Sequence, residues 1–198
     1  MSARIAYRKA WAGSRLWIFA AVLLSACAAL ATTVIPQSVE QLTHNSAFVV
    51  SGHSVRSWSA WDAQHKQIYT YTEFAVEQTL KGQTLSTILV REFGGSAGGY
   101  TQKVAGVTPL RTGERAVLFL NPGRLDASGA LTITGLMQGN FRMLASGRYS
   151  NGVSAVSRSN EVVNAYEAGE LQPYVGKSFT IDQLKQRVAA VIMREQTR

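Results

Sequence analysis

The chain has 198 residues, 46% hydrophobic, 16% charged and 9% aromatic, with 17 glycines, 4 prolines and one cysteine. These proportions exclude a disordered tail, a collagen-like repeat and a disulfide-stapled mini-protein, and the length suits one folded domain that buries a core without metal or disulfide help. The formal charge of +8 looks like a nucleic-acid signal, but Arg4, Arg8, Lys9 and Arg15 precede any acidic residue; the chain after Ala31 carries only +4, an ordinary solubility charge, and no nucleic-acid partner is expected.

Those four cations lead into an unbroken apolar run from Leu16 to Leu24, followed by small residues. This is the layout of an export signal. The apolar or small stretch ends at Ala31 and falls short of the roughly 20 residues that a spanning helix requires. Export is therefore expected over a permanent span, with a retained signal-anchor as the alternative. Two processing sites compete. Ala29-Leu30-Ala31 fits the small-x-small pattern and gives a signal of residues 1–31. Leu24-Ser25-Ala26-Cys27 looks like a bacterial lipobox and gives a lipoprotein signal of residues 1–26, with Cys27 as the lipidation candidate. Membrane attachment is expected only through the signal segment or a lipid anchor, and the destination is periplasm, outer membrane or exterior. The mature body then has no cysteine, so its core alone must stabilise it in an oxidising compartment.

Residues 32–46 read as a connector in which Pro36, Val39 and Leu42 suit one or two helical turns. Residues 47–198 read as a single β domain. Phe48 to Val55 forms a strand in which Gly52 marks a bulge or bend, and the polar stretch after it, with Trp58 and Trp61, reads as a long loop. Ile68, Thr70, Thr72, Phe74 and Val76 share the buried face of the next strand; Tyr69, Tyr71, Glu73 and Glu77 share the other. Leu80-Lys81-Gly82 turns the chain into a third strand, Thr87 to Phe93, which completes a hairpin. A glycine-rich stretch, a short segment around Val104 to Val107 and turn residues Pro109 and Gly113 precede the apolar run Ala116 to Leu120. Leu131 to Thr134 and Phe141 to Leu144 supply two more short strands, separated by Gly135 and Gly139. Regularly spaced strands of this kind indicate a small barrel or sandwich. The period then changes: Thr180 with Gln183 spells a capping box, and Ile181, Leu184, Val188, Val191 and Ile192 recur at helical spacing, predicting an amphipathic helix over about 180–195 that covers an edge or end of the barrel.

Gly94-Gly95-Ser96-Ala97-Gly98 matches the G-x-S-x-G pattern of a nucleophile elbow, which requires a helix after the serine and a histidine later in the chain. The following residues are poor helix formers, and His44, His53 and His65 all lie upstream. A serine-type hydrolase using Ser96 is therefore the alternative, not the expectation. The same glycines lack the Lys-Ser/Thr ending of a phosphate loop, and a hairpin tip in which glycine permits positive φ is the simpler reading. The three histidines lack zinc-site spacing. Glu73, Glu77 and Glu114 read as solvated charges. No catalytic residue, metal or cofactor is expected. Trp58, Trp61, Tyr69, Tyr71 and Tyr100, together with Gly94, Gly95, Gly98 and Gly99, are the binding-surface candidates, because tryptophan and tyrosine bury much area at low entropy cost. Packing over a barrel end is the competing role for them.

Phe48 to Val55, Ser59-Ala60-Trp61-Asp62, Ile68-Tyr69-Thr70, Leu80-Lys81-Gly82, Gly94-Gly95 and Gly113 to Leu120 together resemble a group of uncharacterised exported bacterial proteins. Over about residues 46–145 their order is also similar to the netrin-type fold that includes the tissue inhibitors of metalloproteinases. The resemblance implies an all-β chain with a minor helical part: a small OB-like barrel, closed or partly open, of five or six strands. Those inhibitors chelate the protease zinc through a free N-terminal cysteine amine and carry disulfides. Here no disulfide is possible, and Cys27, if it becomes residue one, would be acylated and blocked, so their mechanism does not transfer. The expectation is an exported envelope module that binds a protein or another envelope component, with a purely structural lipoprotein as a further alternative.

Overall fold

The computed structural model describes residues 37–104, 107–123, 128–151 and 178–197. The stretch expected to be an export signal, with Cys27, and Pro36 lie outside the described residues.

Five strands close into a ring. β1 (Phe48–Trp61) pairs antiparallel with β2 (Ile68–Lys81), which pairs antiparallel with β3 (Thr87–Phe93). β3 meets β7 (Leu131–Ile133) in parallel, through Val90 opposite Leu131 and Arg91 opposite Thr132. β7 pairs with β6 (Arg115–Pro122), and β6 returns to β1. This is the expected OB-like closed barrel. β4 (Gly95–Ala97) and β5 (Tyr100–Gln102) make a separate small hairpin. β8 (Asn140–Met143) and β9 (Tyr149–Ser150) extend the sheet outward from β6.

Strand alternation divides the apolar residues into two cores. Val50, Phe74, Ile88, Val90, Leu110, Ala116, Leu118 and Leu120 fill the barrel interior. Val49, Val117, Phe119 and Phe141 point outward and are buried by Val39 and Leu42 of α1 (Val39–His44) and by Leu184 and Val188 of α2 (Ile181–Gln196). Phe74 and Phe119 are both fully buried, one in each core. Burying such a side chain stabilises by roughly 1.5–3 kcal/mol.

Both helices begin as their sequences dictate. Ser38 and Thr180 each accept from the backbone three residues on, and Gln41 and Gln183 reach back to the cap, completing two capping boxes. Polar clamps then fix the helices to each other and to the barrel. Arg187 bonds to Glu40 (2.7 Å) and His44 to Glu195 (2.7 Å). Lys81 Nζ donates to the Thr43 carbonyl (2.8 Å) and to Glu195 (3.2 Å). These donors hold the exposed Glu195 carboxyl below its ordinary range, the His44 bond most of all.

Two expectations need correction. The stretch after Val55 is strand, not loop: β1 runs to Trp61 and pairs along its length with β2. The cause is a bulge at Val55, which lies between Ser54 opposite Phe74 and Arg56 opposite Glu73. The extra residue flips the alternation. Inward positions are Val50, Gly52 and Ser54 before it, but Ser57, Ser59 and Trp61 after it. Gly52 is required at its own irregularity, because a Cβ there would stand 1.9 Å from the Ala75 carbonyl oxygen. The second correction concerns the short segment near Val104 to Val107: Val104 and Val107 lie outside any strand, and the pairing comes earlier, at Tyr100–Gln102.

Candidate functional site

The odd spacing of Trp58 and Trp61 along β1 puts the predicted aromatics in two places, and the bulge before them sets which face each takes. On the outer face of β1, β2 and β3, Trp58 lies opposite Tyr71, which lies opposite Arg91, while Ala60, Tyr69 and Phe93 form the next row. Trp58 and Tyr71 stack with centroids 5.8 Å apart, and Tyr69 and Phe93 stand at 5.2 Å. Arginine completes each row: Arg56 sits 4.8 Å over the Trp58 ring and Arg91 4.6 Å over Tyr69. Arg56 is also held by Glu73 at 2.6 Å. Trp58 remains 39% exposed and Phe93 42%. The helices' buried apolar residues belong to the outer core on the other wall, so they do not cover this face.

Trp61 does not join that face. It sits at the barrel mouth with Tyr100 edge-on at 5.8 Å and His65 stacked at 6.1 Å. The glycine run folds back over the mouth as the β4–β5 hairpin. A Cβ on Gly95 would come within 2.2 Å of Ser59 Oγ and 2.4 Å of Thr70 Oγ1, and one on Gly98 within 3.3 Å of Trp61 Nε1. Gly94, Gly95, Gly98 and Gly99 all take positive φ. Thr70 fastens the hairpin by donating to the Gly94 carbonyl (2.8 Å), and Gln102 Oε1 accepts from the Ile68 amide (2.9 Å). Below lies a ladder of inward hydroxyls, Ser57 with Thr72 at 3.2 Å and Ser59 with Thr70 at 3.0 Å. The turn from β1 to β2 is fixed by Asp62, whose carboxylate accepts from the Lys66 amide at 2.7 Å; that bond holds its carboxyl below the ordinary range.

Ser96 lies on β4 of this hairpin, and its hydroxyl bonds to Thr101 Oγ1 at 2.8 Å, so it does not occupy a strand-to-helix turn. His44 and His53 engage Glu195 and Glu77. Among the described residues no cluster of three or more His, Cys, Asp or Glu is placed to hold a metal ion.

One titratable residue escaped the sequence reading. Glu92 follows Ile88 and Val90 on the inward face of β3 and is only 8% exposed. Its Oε2 accepts from the Leu110 amide at 3.2 Å. Burial pushes its carboxyl up to about 7, against the Leu110 N–H and the Arg142 guanidinium, while Glu114 pushes it further up. The signal was available, since two-residue periodicity from Ile88 places Glu92 inward. Glu92 also borders a cleft of about 50 Å³ lined by Tyr69, Phe93, Val107, Ile133 and Leu136, which continues the aromatic face toward β7. Its size is well below the several hundred Å³ of ordinary small-molecule pockets, so it is a crevice in a surface.

No protein-family model matches the sequence, and no curated protein matches it significantly.

Proposed function

We propose that this chain is an exported binding module whose contact surface is the outer face of β1, β2 and β3, formed by Trp58, Tyr69, Tyr71 and Phe93 with Arg56 and Arg91. The observation that carries the reading is the row of half-exposed aromatic rings stacked on one another and under arginines, on a wall the helices leave bare. Aromatic and arginine side chains dominate interface energetics because they give large contact area at low entropy cost. Exposed apolar groups gathered on one face mark such surfaces. The envelope setting is supported by the N-terminal sequence alone, through the cation-led apolar run and its processing motifs. The relation to netrin-type proteins stands with it as a proposal, supported by the strand order of the ring.

The test is a photo-crosslinking amino acid placed in turn at Phe93 and, as an exposed control on α2, at Met193, in the protein exported from a bacterial host. Adducts formed from position 93 and not from position 193 support the face. Equal yields at both, or none at 93, contradict it.

A further inference from the structure

The loop after β5 sends Leu110 into the barrel interior. Leu110 is 2% exposed and packs among Val50, Phe74, Ile88, Val90 and Leu118, although it belongs to no strand. Its amide donates to the Glu92 carboxylate at 3.2 Å. The rest of the loop is fastened nearby: Arg142 donates to the Thr108 carbonyl and pairs with Glu114 at 3.3 Å, and Glu114 accepts from the Arg111 amide at 3.0 Å. The backbone of Gly113 and Glu114 is tied to Ser54 of β1. Residues on both sides of Leu110 are thus anchored, Thr108 to β8 and Gly113 and Glu114 to β1 and β8, while the plug itself is held by an acid in the interior.

We propose that Glu92 is a pH-operated latch on residues 107–114, holding Leu110 in the barrel while protonated and releasing it when ionised. The physical reason is the cost of an interior carboxylate. Neutral Glu92 leaves the plug dry. Ionised Glu92 gains strength as an acceptor for the Leu110 amide and attraction from Arg142, but its charge sits in an apolar core and is repelled by Glu114. Lifting the loop lets water relieve that cost. The other charged or titratable groups around the cleft are Arg91 and Tyr69, stacked on each other. Burial has raised the Glu92 titration to about 7, so the latch works near neutrality. Lifting Val107 and Leu110 also opens the cleft beside Tyr69 and Phe93, which couples the latch to the end of the aromatic face.

The experiment is amide hydrogen exchange of the mature exported protein between pH 5 and 8.5, each rate divided by its intrinsic rate at that pH. The latch predicts that protection of residues 107–114 falls at least tenfold as pH rises, with a midpoint near 7, while β2 and β6 stay unchanged. Glu92→Gln should abolish the fall. In the unmutated protein, the ¹³C resonance of the Glu92 carboxyl should titrate at the same midpoint, which keeps the test decisive if the variant does not fold. A flat protection profile, a fall that persists in Glu92→Gln, or a carboxyl titrating near 4.5 would overturn the proposal.

Discussion

Two walls of one barrel solve the same problem differently. Outward positions near the β1–β6 contact carry Val49, Val117 and Phe119, and two capped helices plus Phe141 and Phe179 reduce their exposure to zero. Outward positions on the other side of the bulge carry Trp58, Tyr69, Tyr71, Arg56 and Arg91, which neither α1 nor α2 covers. The first set has no polar edge and must be buried. The second set consists of amphipathic rings and stacked guanidiniums that tolerate water on one side. The comparison teaches that a barrel wall without helical cover need not be a defect: stacked rings and guanidiniums can face water where aliphatic side chains cannot.

The largest effects belong to the covered wall and the interior. Phe119→Ala should cost about 3–5 kcal/mol in urea denaturation, because it leaves a cavity against Phe141, and Phe74→Ala should cost a similar amount inside the barrel. A loss below about 1 kcal/mol at both would mean that the two cores are misassigned.

The next effect is pH-dependent. The Glu92 carboxyl is raised from 4.5 to about 7 in the folded protein. Its contribution is therefore fully present below 4.5 and is lost as pH rises to about 7, by on the order of 3 kcal/mol. Denaturation of the unmutated protein and of Glu92→Gln should give similar stability at pH 4.5 and a clear advantage to Glu92→Gln at pH 8. Parallel curves would show that Glu92 does not carry the dependence.

Gly95→Ala tests the mouth between the walls. Its φ of +126° and the nearness of Ser59 and Thr70 predict a loss of about 1–3 kcal/mol, accompanied by displacement of Tyr100 that near-ultraviolet circular dichroism would register. An unperturbed spectrum would show that the hairpin is not seated on those hydroxyls.

The smallest stability effect belongs to the bare wall. Replacing Trp58 and Tyr71 together by Ala removes one stacked pair, worth about 1 kcal/mol beyond the partial burial of the two rings, and leaves no enclosed cavity, so the loss should stay below that of Phe119→Ala. A loss comparable to that of Phe119→Ala would make these rings structural and erase the contrast.

Much of the covered wall was legible in the sequence. The period of two from Ile68 to Val76, the apolar run Ala116 to Leu120 and the capping box at Thr180 each have a local cause, and each appears as read. The second half of β1 was not legible. A bulge inverted its alternation, and inward Ser57 and Ser59 each pair with the hydroxyl of their own strand partner, Thr72 and Thr70, which no hydrophobicity pattern reveals. Trp58 and Trp61, which the sequence placed in one loop, fall on opposite faces because they stand three residues apart on one strand, a separation that a loop reading hides. Arg56, Arg91 and Phe93 went unrecognised because the bare wall becomes a surface only when three strands are laid side by side. Glu92 was readable by parity, but its burial depends on Leu110 arriving from a loop eighteen residues away.

The central claim, that the β1–β3 wall is bare in the isolated protein and is the wall a partner covers, is tested most directly by hydroxyl-radical footprinting of the exported protein, first purified and then in its native envelope. In isolation, Trp58 and Phe93 should label readily while Phe119 and Phe141 stay protected; in the envelope, labelling at Trp58, Tyr71 and Phe93 should fall several-fold while Met193 on α2 is unchanged. Undiminished labelling at Trp58 and Phe93, or protection confined to Met193, would contradict it.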